Sequence, residues 1–150
     1  MSDFTALRRT MVDCQVRPSD VTDLRIIDAM LAVPRERFVP ESKRAIAYLD
    51  MDIDVAAAGQ AKRCLIQPAV LAKMLQAAAI SETDRVLVVG CATGYSAAVV
   101  SHLAAAVFAT EPDSALASSA TSTLAALGLA NVTVTTAAPA DGDRAHGPYD

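Results

Sequence analysis

Val86-Leu87-Val88-Val89-Gly90-Cys91-Ala92-Thr93-Gly94-Tyr95 decides the fold of the second half of the chain. The apolar run Val86–Val89 reads as a parallel strand buried on both faces. Gly90 to Gly94 then makes a tight turn, and Tyr95 to about Ala105 reads as a helix. A strand that turns at glycines into a helix brings backbone N–H groups and a positive helix end to one place, where a ligand can use them. The spacing is G-x-A-x-G, not the dinucleotide fingerprint G-x-G-x-x-G. The third glycine of that fingerprint would fall at Tyr95, whose ring would obstruct close helix–sheet packing. Downstream, Ala106–Thr110 is a second strand, Asp113 caps a helix ending at Gly128, and Val132–Thr135 is a third strand. The order β-α-β-α-β is the first half of an open, doubly wound, Rossmann-like sheet, an α/β fold.

Upstream the pattern is helical and charged. Ser2 or Thr5 is expected to open a helix to about Val16, where Arg17-Pro18 breaks it. Asp20 or Thr22 should cap a second helix with Leu24, Ile27, Met30 and Leu31 as its buried stripe, stopped by Pro34. A third helical piece is predicted over Glu41–Tyr48. The alternation in Leu49–Val55 predicts a half-buried strand, and Pro68 begins a helix with Val70, Leu71, Met74, Leu75 and Ala78 inward. Residues 1–80 are therefore expected to form a helical region and residues 81–150 a partial Rossmann-like unit, one domain overall.

Composition narrows the function classes. The chain has 150 residues, 53% hydrophobic and 20% charged, so it has room for one real core. Residues 1–73 carry 11 Lys/Arg against 10 Asp/Glu, whereas residues 74–150 carry 2 against 7. An acidic second half is a poor partner for phosphate backbones, so nucleic acid is not expected. Asp3, Arg8, Arg9 and Asp13 interrupt any early apolar signal segment, and no run is long enough to span a bilayer, so a cytoplasmic protein without a membrane partner is expected. Cys14, Cys64 and Cys91 are widely spaced and are read as small buried apolar residues. With only His102 and His146 beside them, no metal site or disulfide framework is predicted. His146 is expected to lie solvated in a loop, and His102 to face solvent or a helix neighbour.

In a doubly wound sheet the first strand lies in the middle, yet nothing after Val132–Thr135 remains to pair with the other side of Val86–Val89. The expectation is an N-terminal fragment of a longer chain, prone to self-association through that edge.

Other blocks carry a resemblance. Met11-Val12-Asp13, Gln15-Val16-Arg17 and Asp20-Val21-Thr22-Asp23 lead into Ile27-Asp28-Ala29-Met30. Val33-Pro34-Arg35-Glu36-Arg37-Phe38-Val39-Pro40, Ala47-Tyr48-Leu49-Asp50, Gly59-Gln60 and Gln67-Pro68 follow. With the Gly90–Gly94 turn, which looks like motif I of the S-adenosylmethionine-dependent methyltransferases, this succession resembles the protein-L-isoaspartate O-methyltransferase family from about residue 8 to Asp150. The resemblance implies methyl transfer from S-adenosylmethionine to the side carboxylate of an isoaspartyl residue in a damaged protein or peptide. The ester would then close to a succinimide and reopen partly to normal aspartate, a repair reaction. It also implies cofactor contacts from Gly90, Cys91, Gly94, Tyr95 and Glu111, with Glu111 holding the ribose hydroxyls, and an acceptor side lined by Ile66 and Gln67, so that residues 1–80 take the substrate side. A carboxylate nucleophile and a sulfonium methyl need alignment and exclusion of water more than a general base.

Four segments depart from the family pattern. Val88 replaces an acidic residue of motif I, Ala92 its middle glycine, Ala137-Ala138 a Gly-Asp pair, and Ile66 the acceptor-side serine, so no catalytic residue is assigned. Arg63, beside that segment, is read as a surface arginine, with a substrate-carboxylate contact as the other reading. Two further functions stay open: a degenerate module that binds a ligand or protein without transferring methyl, and a methyltransferase with a small-molecule acceptor. The Val88 departure is testable. Valine forgoes a charge-assisted hydrogen bond to the cofactor's amino group, a loss on the order of 1.5–3 kcal/mol. Val88→Asp in the full-length protein is therefore expected to tighten S-adenosylmethionine roughly tenfold or more by calorimetry; unchanged or weaker binding would remove Val88 from the cofactor's surroundings.

Overall fold

Asp3 opens the first helix: its carboxylate accepts the Thr5 and Ala6 amides at 3.0 and 3.2 Å, and α1 spans Phe4–Met11. The computed structural model describes residues 3–150, so the Ser2 alternative lies outside the described residues. The predicted continuous helix to Val16 gives way to a π-helical turn over Val12–Val16 and a 3-10 turn over Arg17–Ser19. Pro18 has no amide to continue the ladder, and Asp20 ends it in the left-handed region at φ +62°. Met11, Val12 and Val16 are fully buried.

The chain divides into two compact units, one ending at Ala79 and the other running from Ile80 to Asp150. In the first, α2 (Leu24–Ala32) is capped by Asp23, which accepts the Arg25 amide at 2.9 Å, and not by Asp20 or Thr22. The Gln76 side chain adds a remote cap, its Oε1 accepting the Thr22 and Asp23 amides at 2.7 and 3.1 Å. The buried stripe is Ile26, Ile27, Ala29 and Met30. Leu24, two residues and roughly 200° round the helix from Ile26, is 65% exposed. Leu31 is only half-buried. Residues Arg35–Phe38 and Glu41–Ile46 form 3-10 turns, so the third helical piece is shorter and tighter than predicted.

The predicted strand over Leu49–Val55 contracts to β1 (Ile53–Asp54), paired antiparallel with β2 (Cys64–Leu65). Leu49 and Met51 are exposed. Helix α3 (Pro68–Ala78) begins at Pro68 as read, but its inner face is Pro68, Ala69, Leu71, Ala72 and Leu75. Val70 and Met74 sit at i+2 and i+6 of that row and face outward, Met74 being 58% exposed. Ala78 is exposed as well.

The second unit is a parallel sheet in the order β3-β4-β5: Arg85–Val89, Ala106–Glu111 and Val132–Thr136. Helix α4 (Tyr95–Val100) links β3 to β4, and α5 (Ser114–Ala126) links β4 to β5. Helix α4 stops short of Ala105, and the Asn131 side-chain amide donates to the carbonyls of Ser101 and Ala104 beyond its end at 2.9 and 3.3 Å. Asp113 caps α5 through the amides of Ala115 and Leu116, and Gly128 follows it at φ +73°. Val107, Ala109, Ala97, Ala98, Val99 and Ala120 form the fully buried centre.

Strand β4 is the interior strand. Strand β3 is not buried on both faces as its apolar run predicted: it lies at an edge of the described sheet, and Val89 is 47% exposed. At its start Arg85 exchanges hydrogen bonds with Asp150: the Asp150 amide donates to the Arg85 carbonyl at 3.1 Å, and the Arg85 amide to the Asp150 carboxylate at 2.9 Å. His102 is exposed. His146 lies in a loop, but its ring is not simply solvated: it stacks on Phe108 at 4.8 Å, and Nδ1 bonds Asp143 at 2.8 Å. No helix among the described residues is long and apolar enough to cross a membrane.

The cysteines differ from one another. Cys91 is buried, Cys64 half-buried, and Cys14 exposed because the π-helical turn carries it to the surface. Burial, with the Glu111 charge second, pushes the Cys91 thiol from 9.0 up to about 12. Its thiolate is thus scarce at neutral pH, and above the ordinary thiol value ionisation favours the unfolded chain, so stability falls as pH rises past about 9. Iodoacetamide at pH 8 is expected to label Cys14 at least ~100-fold faster than Cys91 in the folded chain. Equal rates would contradict the buried thiol.

Candidate functional site

The turn between β3 and α4 is built from three residues at positive φ: Gly90 at +71°, Ala92 at +50° and Gly94 at +95°. Alanine at such an angle costs about 1 kcal/mol relative to glycine. The opposing term is a carboxylate. Glu111, the last residue of β4 and 0% exposed, accepts the Ala92 amide through Oε2 at 2.9 Å and the Asp113 amide through Oε1 at 3.1 Å. A hydrogen bond to a charged group contributes about 1.5–3 kcal/mol, enough to hold Ala92 in the left-handed region. The Thr110 carbonyl anchors the other end, accepting the amides of Gly90 and Cys91 at 2.8 and 2.9 Å.

The residues predicted for the cofactor therefore converge, but they differ in what they offer. A side chain placed at Gly90 would meet nothing within 4 Å, so the backbone there is open to a ligand's close approach. A Cβ at Gly94 would lie 3.1 Å from that of Ala120 and 3.4 Å from Leu124, so this glycine admits α5, not a ligand. Cys91 and Tyr95 are buried beneath the turn, and Tyr95 begins α4. Val88 lies half-buried in β3 opposite Ala109, and Ala137-Ala138 follow β5 without a carboxylate. The open backbone at Gly90 suits a ligand's close approach, and in this respect the turn fits a nucleoside cofactor.

Ile66 and Gln67 belong to the other unit, between β2 and α3. The Gln67 amide donates to Asp52 Oδ1 at 2.8 Å, and the Ile66 carbonyl accepts from Arg35 Nη2 at 2.9 Å. Arg63 is half-buried, its amide donating to Asp54. Thr110, Asp52 and Arg35 escaped the reading of the sequence. Thr110 acts through its backbone carbonyl, which leaves no side-chain signature. Arg35 carried little signal of its own, since Glu36 and Arg37 stand beside it between Val33-Pro34 and Phe38.

A model of the protein-L-isoaspartate(D-aspartate) O-methyltransferase family matches residues 8–150. The chain is 40% identical over 148 residues to the protein-L-isoaspartate O-methyltransferase of Roseiflexus sp. (strain RS-1), covering 99% of this chain and 66% of that protein. It is 46% identical over 125 residues to protein-L-isoaspartate O-methyltransferase 2 of Anaeromyxobacter sp. (strain Fw109-5), covering 83% and 50%. The chain thus spans between half and two thirds of the length of these curated relatives. Among solved structures, a protein-L-isoaspartate O-methyltransferase superposes with a TM-score of 0.86 at 26% identity, over 95% of this chain and 46% of that one. A Plasmodium falciparum protein, described as a putative member in complex with S-adenosyl-L-homocysteine, shares the fold at TM-score 0.68 and 16% identity, over 91% and 64%. With the glycine turn, its bracing acid and the Pro34–Pro40 block in place, the chain belongs to the protein-L-isoaspartate O-methyltransferase family.

Proposed function

We propose that this chain supplies the S-adenosylmethionine site and the acceptor-side segment of a methyltransferase acting on the side carboxylate of isoaspartyl residues in proteins and peptides. The observation that carries the reading is the Glu111 carboxylate drawn onto the Ala92 amide, which sets an acid against a glycine turn whose Gly90 face is open. When bound, S-adenosylmethionine supplies an activated methyl group. Gly90 admits the ligand to the backbone, and Glu111 orients it through hydroxyl hydrogen bonds. Ile66 and Gln67 line the acceptor side. The acceptor carboxylate is already a nucleophile, so these residues serve chiefly to align it and exclude water. Three free cysteines fit the reducing cytoplasm, where we place the protein.

The test is transfer of labelled methyl by the full-length protein to an isoaspartyl peptide and to its normal aspartyl twin. Label on the isoaspartyl peptide alone is expected. Ile66→Ser, which returns one hydroxyl, should raise the rate by up to about tenfold, the worth of one hydrogen bond. Cofactor binding without transfer to either peptide would sink the proposal in favour of a non-catalytic binding module.

A further inference from the structure

We propose that Arg35 and Asp52 act as a clamp on one peptide unit, the Ile66–Gln67 bond, and so position the acceptor side of the site; this rests on the function proposed above. The Ile66 carbonyl and the Gln67 amide are the two ends of a single planar group. Arg35 Nη2 donates to that carbonyl at 2.9 Å, and Asp52 Oδ1 accepts from that amide at 2.8 Å. Held at both ends, the plane fixes ψ of Ile66 and φ of Gln67, and with them the directions of both side chains. The strand ladder does not do this, since β2 ends at Leu65. The Gln67 side chain adds a long contact to the Asp50 carbonyl at 3.4 Å, and α3 starts at the next residue.

The two arms differ in kind. Arg35 is fully buried, and its Nε donates to the Ala47 carbonyl at 2.8 Å. One guanidinium therefore joins residues 35, 47 and 66, three segments far apart in sequence. A buried cation is costly unless well hydrogen-bonded, and its planar fork reaches two acceptors at fixed angles, which an ammonium cannot. Asp52 is exposed and works from the solvent side.

The experiment uses the full-length protein with Arg35→Lys and, as a variant that leaves the core untouched, Asp52→Ala. In both, KM for an isoaspartyl peptide should rise about tenfold for Arg35→Lys and severalfold for Asp52→Ala, while Kd for S-adenosylhomocysteine stays within twofold. Amide exchange at Gln67 should quicken at least tenfold in both, and the melting temperature of Asp52→Ala should stay near that of the wild type. A KM unmoved by either variant, or a cofactor Kd that moves in step with KM, overturns the clamp. Should the wild type methylate no peptide, the proposed function fails by itself; the clamp is then decided by Gln67 exchange, which overturns it if unchanged.

Discussion

The turn after β3 depends on the contact of the Glu111 carboxylate with the Ala92 amide. It joins the end of β4 to the turn after β3, and its energy exceeds the roughly 1 kcal/mol that a left-handed alanine costs. Three features follow. The chain can reverse within five residues into α4, and Gly94 can bring α5 within contact through Ala120. Gly90 is left with an uncovered backbone. A family pattern with glycine at position 92 would not need the contact so strongly. In this chain the acid that supports the turn is also the one proposed to meet the ligand, so deleting it would test structure and binding together.

A comparable economy operates in the first unit, where adjacent residues of the Pro34–Pro40 block serve two sets of partners. Arg35 holds the carbonyls of Ala47 and Ile66. Glu36 accepts from the Tyr48 hydroxyl and faces Arg8 of α1 at 3.4 Å, and Arg8 in turn donates to Tyr48 and to the Leu31 carbonyl. Burial and the bond to Glu36 push the Tyr48 phenol well above its ordinary value, so it remains a donor across the working pH range. Buried charges of this kind are weak contributors to stability but strict about geometry. Strictness of this kind suits the clamp proposed for the Ile66–Gln67 peptide.

How much of this was legible in the residues varied with the kind of force involved. The alternation of strand and helix from Val86 onward was readable because apolar runs, the Asp113 cap and Gly128 all act locally. Burial stripes were less so. Leu24, Val70 and Met74 looked like core by periodicity, but which side of a short amphipathic helix turns inward depends on what it packs against. The caps moved by a few residues for a related reason: Asp23 gains support from Gln76, more than fifty positions away. At the turn, residue types pointed to Gly90 and Glu111, which the structure places at the same turn. They did not disclose that Gly94 serves α5, nor the roles of Thr110, Asp52 and Arg35, which act on or through backbone groups.

The central claim is that the Gly90–Ala92 turn and Glu111 together receive the cofactor. Its most direct test is a ¹⁵N–¹H titration of the full-length protein with S-adenosylhomocysteine. Expected are the largest, saturable shifts at the amides of Gly90, Cys91, Ala92 and Asp113, since these line the turn or bond Glu111. Saturable binding that leaves those amides unmoved would contradict it.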